Sequence, residues 1–359
     1  MANNCTLNVQ AKLNDLYRLS RFQAPTGAIE MAYSAQNGAE VQAKMIQANG
    51  KTSQYSITYA APQCDTPIDC DSFDCTGAGT DSGTLTTCLT FNSFDCKSMP
   101  VWKNLPITSL RDLGSLEVQD VFASAIWDQM QKIKNAMDVD VVTTLCADAG
   151  CVATGLDTKT YKLLNALGGP NFNVDYDILS DFADAGFSGV SPLLLGNRIV
   201  KKYSRGINAG GVGDAGVNLS IADRFASFYD KNVVDANCSP ATPGNEVMIA
   251  TLPGIVNVLS WSKNAGMFAS RNSPQRWDSV DPSSLIREGE SFLHTVIEDP
   301  ATGLLFDLDL VYEPKCQKWQ YRIGSYYKTL LLPVQGCNDS CFNGVVKYDV
   351  CPEATVACE

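Results

Sequence analysis

Between Val118 and Leu145 apolar residues recur at spacings of three and four: Val118, Phe122, Ile126, Met130, Ile133, Met137, Val141 and Leu145. That is the period of one helical face. Gln119, Asp128, Gln131 and Lys134 fall between them, so the spacing predicts one helix over about Leu116 to Ala147. Roughly 30 residues at 1.5 Å each make a rod of about 45 Å, well beyond the usual helix of a globular domain. A rod of that length serves better as a spine than as the wall of a closed active site.

The flanking segments predict different material. Residues 1–38 are polar and mixed, with a weak amphipathic stretch from Leu7 to Leu19, and read as an extended arm carrying a short helix. Two alternating runs follow, Glu40 to Ala48 and Lys51 to Tyr59, joined at Asn49-Gly50. Asn-Gly tolerates the positive φ angles of a tight turn, so these runs predict a hairpin. Val41, Ala43 and Met45 share one face, and Tyr55, Ile57 and Tyr59 share a face of the partner strand. A two-stranded hairpin is marginal alone in water, so this one is expected to rest on something, such as a neighbouring subunit.

Beyond the spine, Tyr176 to Ala185 predicts a helix and Leu193-Leu194-Leu195, ending at Gly196-Asn197, a buried strand and its turn. Val247 to Thr251, Pro253-Gly254 and Ile255 to Trp261 read as strand, turn and strand. The clearest β region is a meander: Ser291 to Ile297, a turn at Asp299-Pro300-Ala301-Thr302-Gly303, Leu304 to Tyr312, then Trp319 to Ile323. No repeat of 20 to 50 residues is visible.

Fourteen of the 359 residues are cysteine. Such density points to disulfides and an oxidising compartment. Yet the chain opens Met1-Ala2-Asn3-Asn4 with no apolar run able to act as a secretion signal, which points to folding in a reducing cytosol. Cys64, Cys70, Cys75, Cys88 and Cys96 crowd a segment of Asp, Ser, Thr and Gly with little apolar content, and Cys337 and Cys341 lie near the C-terminus. These seven are the candidate disulfide cysteines, with bridges expected in surface loops and chain ends. Residues 61–100 need covalent or metal staples, or else stay loose. Cys70/Cys75, Cys146/Cys151 and Cys337/Cys341 approach zinc-ligand spacing, but none has the tight two-residue gap. Disulfides, free thiols and zinc all remain open, in that order of preference.

Other chemistry is thin. The net charge is −12 and the pI about 4.6. No cluster of Lys and Arg is interleaved with aromatics, so no sequence-specific nucleic-acid binding is expected. The basic pairs Lys132/Lys134 and Lys201/Lys202 read as solvated faces. No run approaches the roughly 20 apolar residues of a membrane span, so no membrane partner is expected. The lone histidine, His294, sits in a predicted strand without an evident nucleophile, and no Gly-x-Ser-x-Gly elbow occurs. Gly211-Val212-Gly213-Asp214-Ala215-Gly216 matches a dinucleotide fingerprint in letters only, within a glycine-rich loop. The acidic cluster Asp65, Asp69, Asp71, Asp74 and Asp81 lacks the spacing of a calcium loop. Asp175/Asp177 and Asp307/Asp309 resemble acid/base pairs superficially, and the second pair is explicable as solvent-facing strand positions. No catalytic residue, cofactor or metal ligand is assigned.

The order of parts, an arm, a hairpin flap, a long helix, a mixed α/β region and a β-meander, resembles the major capsid proteins of tailed bacteriophages with the Hong Kong 97-like fold. Locally, Leu193 to Val200 with the glycine-rich 206–216 stretch, and Leu252-Pro253-Gly254 leading to Trp261, look like that family's central domain. Asp299-Pro300 through Gly303, Phe306-Asp307, Tyr312, Cys316 and Trp319 look like its peripheral strands. Cys337-Asn338 to Gly344, then Tyr348 and Cys351, look like its closing segment, and the detail resembles capsids of phages infecting the Bacteroidetes group.

The resemblance implies an α+β fold with an N-arm at 1–38 and an extended loop with a cysteine-rich insertion at 39–100. It implies a peripheral domain at 101–164 with the spine at about 112–147, an axial domain at 165–285, and peripheral strands with the C-terminal segment at 286–359. It implies a non-enzymatic subunit, made in host cytoplasm, that assembles with itself into pentamers and hexamers of an icosahedral virion shell around double-stranded DNA. Portal and decoration proteins would be further partners. Two rivals stand beside it: an exported, disulfide-stabilised surface or adhesion protein, and an encapsulin-like compartment shell.

Overall fold

A computed structural model describes residues 3–18, 26–34, 37, 41–49, 52–59, 83–89, 92–93, 103–105, 116–150, 159–164, 171, 173–203, 226–262, 267–269, 292–313, 318–334 and 342–351. The spine helix, here α3, runs Leu116–Ala147, the span its periodicity predicts. Ile126, Met130, Ile133, Met137, Val141 and Leu145 are all fully buried. The buried surface is wider than that stripe, because Trp127 and Val142 and the polar Gln131, Lys134 and Asp138 are enclosed as well. Along its middle turns the helix therefore passes through the core.

Two helices of the arm lie against it. α1, Asn3–Arg18, packs on α3 and buries Leu13 completely. α2, Gly27–Tyr33, buries Ala28, Ile29, Met31 and Ala32. The arm thus carries two packed helices where the sequence predicts one short one. α2 is fixed beyond its C-terminal end by Asn37, whose Nδ2 donates to the carbonyls of Ala32 (2.9 Å) and Val256 (2.6 Å) and whose Oδ1 accepts the Gly254 N–H at 3.0 Å.

The strands form four sheets. β1 (Val41–Asn49), β2 (Thr52–Tyr59) and β3 (Gly83–Leu89) make an antiparallel sheet of their own, in that order. Ala43↔Ile57 and Met45↔Tyr55 pair as the alternation predicts, but the register shifts between Met45 and Gln47, and the last pair is Asn49↔Thr52. Carried on unshifted, the register would set Asn49 opposite Lys51 and leave one residue for the turn. The bulge moves the partner by one, so residues 50 and 51, not Asn49-Gly50, join the strands. β3 comes from the cysteine-rich stretch, so the hairpin gains a third strand from within its own chain.

The meander forms as predicted: β12 (Phe292–Glu298), β13 (Leu305–Glu313) and β14 (Lys318–Gly324) pair in sequence, and β5 (Lys103–Leu105) completes the sheet. A third sheet has the order β11 (Met267–Ala269), β10 (Val256–Ser262), β15 (Tyr326–Leu331), β4 (Asn92–Ser93). The fourth and largest has the order β6 (Lys159–Tyr161), β16 (Val345–Val350), β9 (Glu246–Thr251), β7 (Leu193–Gly196), β8 (Ala226–Tyr229). The turn at Pro253-Gly254, with Gly254 at φ 92, carries the chain from β9 in one sheet to β10 in another.

α4, Asn173–Asp184, is stitched to the largest sheet through a buried carboxylate. Asp181 Oδ2 accepts the hydroxyls of Tyr161 and Tyr348, each at 3.1 Å, and Oδ1 accepts the Lys159 ammonium. Burial, then the neighbouring Asp181 charge, holds both tyrosines well above the usual phenol range, so both stay neutral donors.

Candidate functional site

Buried charge concentrates where α2, α3, the end of β8 and the first meander turn converge. The turn presents one carboxylate. Asp299 Oδ2 accepts the Thr302 backbone N–H at 3.0 Å and the Thr302 hydroxyl at 2.6 Å, and Gly303 follows at φ 73. This is the local chemistry that makes Asp-Pro-x-Thr-Gly a turn. The same oxygen receives the Lys134 ammonium at 3.0 Å, with both side chains 2 % exposed or less. Lys134 runs its aliphatic stem through the core and ends on this carboxylate. It is thus a buried ion-pair partner and no part of a solvated basic face, while Lys132 is exposed as expected.

One turn further along α3 a second cluster forms. Asp138 Oδ1 accepts the Ile29 N–H at 3.2 Å, and its Oδ2 accepts Asn232 Nδ2 at 2.7 Å. Asp230 Oδ2 accepts the Ala28 N–H at 3.0 Å, and its Oδ1 accepts the Asn232 N–H at 2.8 Å. The two carboxyl groups are fully buried and face each other. Burial first, and the Asp230 carboxylate second, push Asp138 up to about 9. Gly27 lets α2 come this close, since a Cβ there would stand 2.4 Å from the Tyr229 carbonyl oxygen.

The strap that follows Asp230 runs on to a disulfide. Cys238 bonds Cys146 near the end of α3, with the Cα atoms 5.5 Å apart. Cys351, at the end of β16, is disulfide-bonded too. Neither Cys146, Cys238 nor Cys351 is among the seven cysteines singled out by local density. Of those seven, Cys64, Cys70, Cys75, Cys96, Cys337 and Cys341 lie outside the described residues. Cys88 stands on β3 opposite Gln54. Cys146 shows no bridging signal in the sequence, since its partner is 92 residues away.

Several other sequence candidates are placed. His294 is on β12 opposite Asp309. Asp307, expected at a solvent-facing position, is 3 % exposed. Its neighbours Phe306 and Leu308 are buried as well, so the strand is enclosed on both faces where it starts. Asp175 is buried and accepts the Tyr203 hydroxyl, which ties α4 to the helical turn at 198–203. The glycine-rich 206–216 stretch and the acidic cluster of 65–81 lie outside the described residues. Among the described residues no group of His, Cys, Asp and Glu is placed to hold a metal ion, and no helix is long and apolar enough to cross a membrane.

The other feature set apart is the β1–β2–β3 sheet. Among the described residues it pairs with no other strand, and its main contacts are internal. The molecule is a mixed helix-and-sheet protein organised on one long helix, with a core braced by buried ionic and covalent ties.

No family model matches the sequence, and no curated protein matches it. Solved structures do. A chain of Mycobacterium phage Adephagia is similar at 12% identity, covering 93% of this chain and 92% of that one, with a TM-score of 0.41. The capsid of Ralstonia phage GP4 is similar at 9% identity over 87% of each chain, with a TM-score of 0.42. A chain of Microbacterium phage Oxtober96 is similar at 12% identity over 89% of this chain and 91% of that one, with a TM-score of 0.38.

Proposed function

We propose that this chain is a shell subunit: the major capsid protein of a tailed bacteriophage, built on the Hong Kong 97-like plan. It assembles with itself through pentamers and hexamers into an icosahedral shell around double-stranded DNA. The observation that carries this reading is the pairing of a 32-residue spine with a three-stranded sheet that has no strand partner in its own described fold. A three-stranded sheet that pairs with no other strand among the described residues is a poor solution for a monomer and a good one for a subunit that lends it to a neighbour. The buried junction fits a structural part, because the four oxygens of Asp138 and Asp230 and Oδ2 of Asp299 accept donors of the same chain and hold elements together.

On this reading residues 1–38 are the N-arm and 39–100 the extended loop with its insertion. Residues 101–164 carry the spine in the peripheral domain, 165–285 form the axial domain, and 286–359 return to the periphery. β16 of that last segment lies between β6 and β9, so the return also closes the largest sheet. The acidity of the chain suits a wall that encloses a polyanion without binding it. Portal and decoration proteins are the further partners, a phage of the Bacteroidetes group the source, and assembly precedes host lysis.

Negative-stain electron microscopy of native material and sedimentation of the purified chain test this. Shells, or pentamers and hexamers, are the expected result, and a stable monomer at high concentration would sink it. The Cys146–Cys238 bridge favours a second reading, an exported and disulfide-stabilised surface protein. That reading expects monomers or small oligomers outside the cell and a signal segment encoded upstream of Met1.

A further inference from the structure

The paired carboxyl groups of the junction have a consequence that does not depend on the shell reading. Each of the four oxygens of Asp138 and Asp230 already accepts one N–H: from Ile29 and Asn232 on Asp138, from Ala28 and Asn232 on Asp230. Both side chains are fully buried. Two carboxylates in contact without water do not both carry charge, and one proton between them supplies the missing donor. The oxygens of Asp230 are both taken by backbone N–H groups, which suits the anion. Asp138 carries the proton.

We propose that Asp138 and Asp230 share one proton and form an acid-closed latch on α2. With the proton present the pair grips the backbone N–H groups of Ala28 and Ile29 in the first turn of the helix, and its loss to water loosens α2 from the spine. The charged groups facing this site are Glu30 on α2, Lys134 on α3 and Asp299 at the meander turn. Lys134 and Asp299 pair with each other, and the Glu30 carboxyl, its pKa raised by burial, accepts the Thr26 hydroxyl at 3.5 Å on the rim of the site. Neither arrangement removes the confrontation of Asp138 with Asp230.

The sign follows from linkage. Asp138 is raised far above the ordinary carboxyl range, so closed α2 binds a proton that the opened state releases. Stability of the closed state is then greatest in acid, and falls from about pH 4 until the pH passes about 9. One proton taken up on closing changes the opening equilibrium by up to about tenfold per pH unit within that window.

Hydrogen exchange of the full chain, read by mass spectrometry on peptides covering residues 26–34 from pH 5 to pH 9, tests this. The protection factor, corrected for intrinsic exchange, should fall by up to about tenfold per pH unit, while peptides from β9 and β16 hold steady. Asp138→Asn should flatten the profile, and Glu30→Gln should leave it sloping. A flat wild-type profile overturns the latch, as does a slope that survives Asp138→Asn or vanishes in Glu30→Gln. Should Asp138→Asn not fold, the wild-type and Glu30→Gln profiles still decide between these outcomes.

Discussion

Lys134 and Asp299 show how a charge becomes structural once water is removed. A buried ion pair gains little over well-packed apolar residues, but removing one partner strands the other charge. Lys134→Met or Asp299→Ala should each cost about 3–5 kcal/mol, and replacing both together with apolar residues should recover much of that loss. Chemical denaturation of the four proteins is the measurement, and two small, additive losses would contradict it. Gly27→Ala should cost about 1–3 kcal/mol, read as a lowered melting temperature, because its new Cβ meets the Tyr229 carbonyl. None of this could be read locally. Lys134 looks solvated beside Lys132, because the carboxylate that explains it stands 165 positions further on. Asp307 and Asp309 share a face by spacing alone, but spacing does not say which face another sheet will cover.

The regular elements were the most legible, and the reasons are local. α3 announces itself because its apolar period persists through eight turns or so, and the meander because Asp299 and Gly303 specify its first turn. The hairpin was visible but its turn was displaced, since a bulge inside β1 obeys packing and not the turn dipeptide. The strap 230–238 was invisible. Asn232 ties it to Asp138 and Cys238 ties it to Cys146, two turns of α3 further along. In the loop-entropy account, closing 92 residues restricts the unfolded chain by about 4–5 kcal/mol. Cys146→Ser with Cys238→Ser should therefore lower the denaturation midpoint, and a reductant should lower the wild type towards the same value. An unchanged midpoint in both experiments would mean that the pair is reduced in solution. Asn37→Ala should cost about 2–3 kcal/mol, since it deprives Ala32, Val256 and Gly254 of buried partners.

For the molecule entire, the order of parts was in the sequence and the assembly of sheets was not. Strands of the largest sheet come from positions between 159 and 350, and no local pattern announces that β16 will sit between β6 and β9. The separate β1–β2–β3 sheet gives the sharpest test of the proposed function. Deleting residues 41–89 and closing the gap with a short flexible linker removes that sheet and spares β4 and β5. The shortened chain should keep its melting temperature within a few degrees and lose the capacity to form closed particles. Particles of normal size from it, seen by electron microscopy, would mean that the sheet is not an assembly element.

The bond between Cys146 and Cys238 starts and ends in one polypeptide. Drawn as a graph whose nodes are chains and whose edges are covalent links, it is a loop on a single node. However many copies gather, oxidising this pair leaves that graph in separate pieces, and detergent alone releases each chain from it. On a non-reducing gel the pair reports itself as a tighter, faster-running single chain, and a ladder of multiples would have to be written by other cysteines.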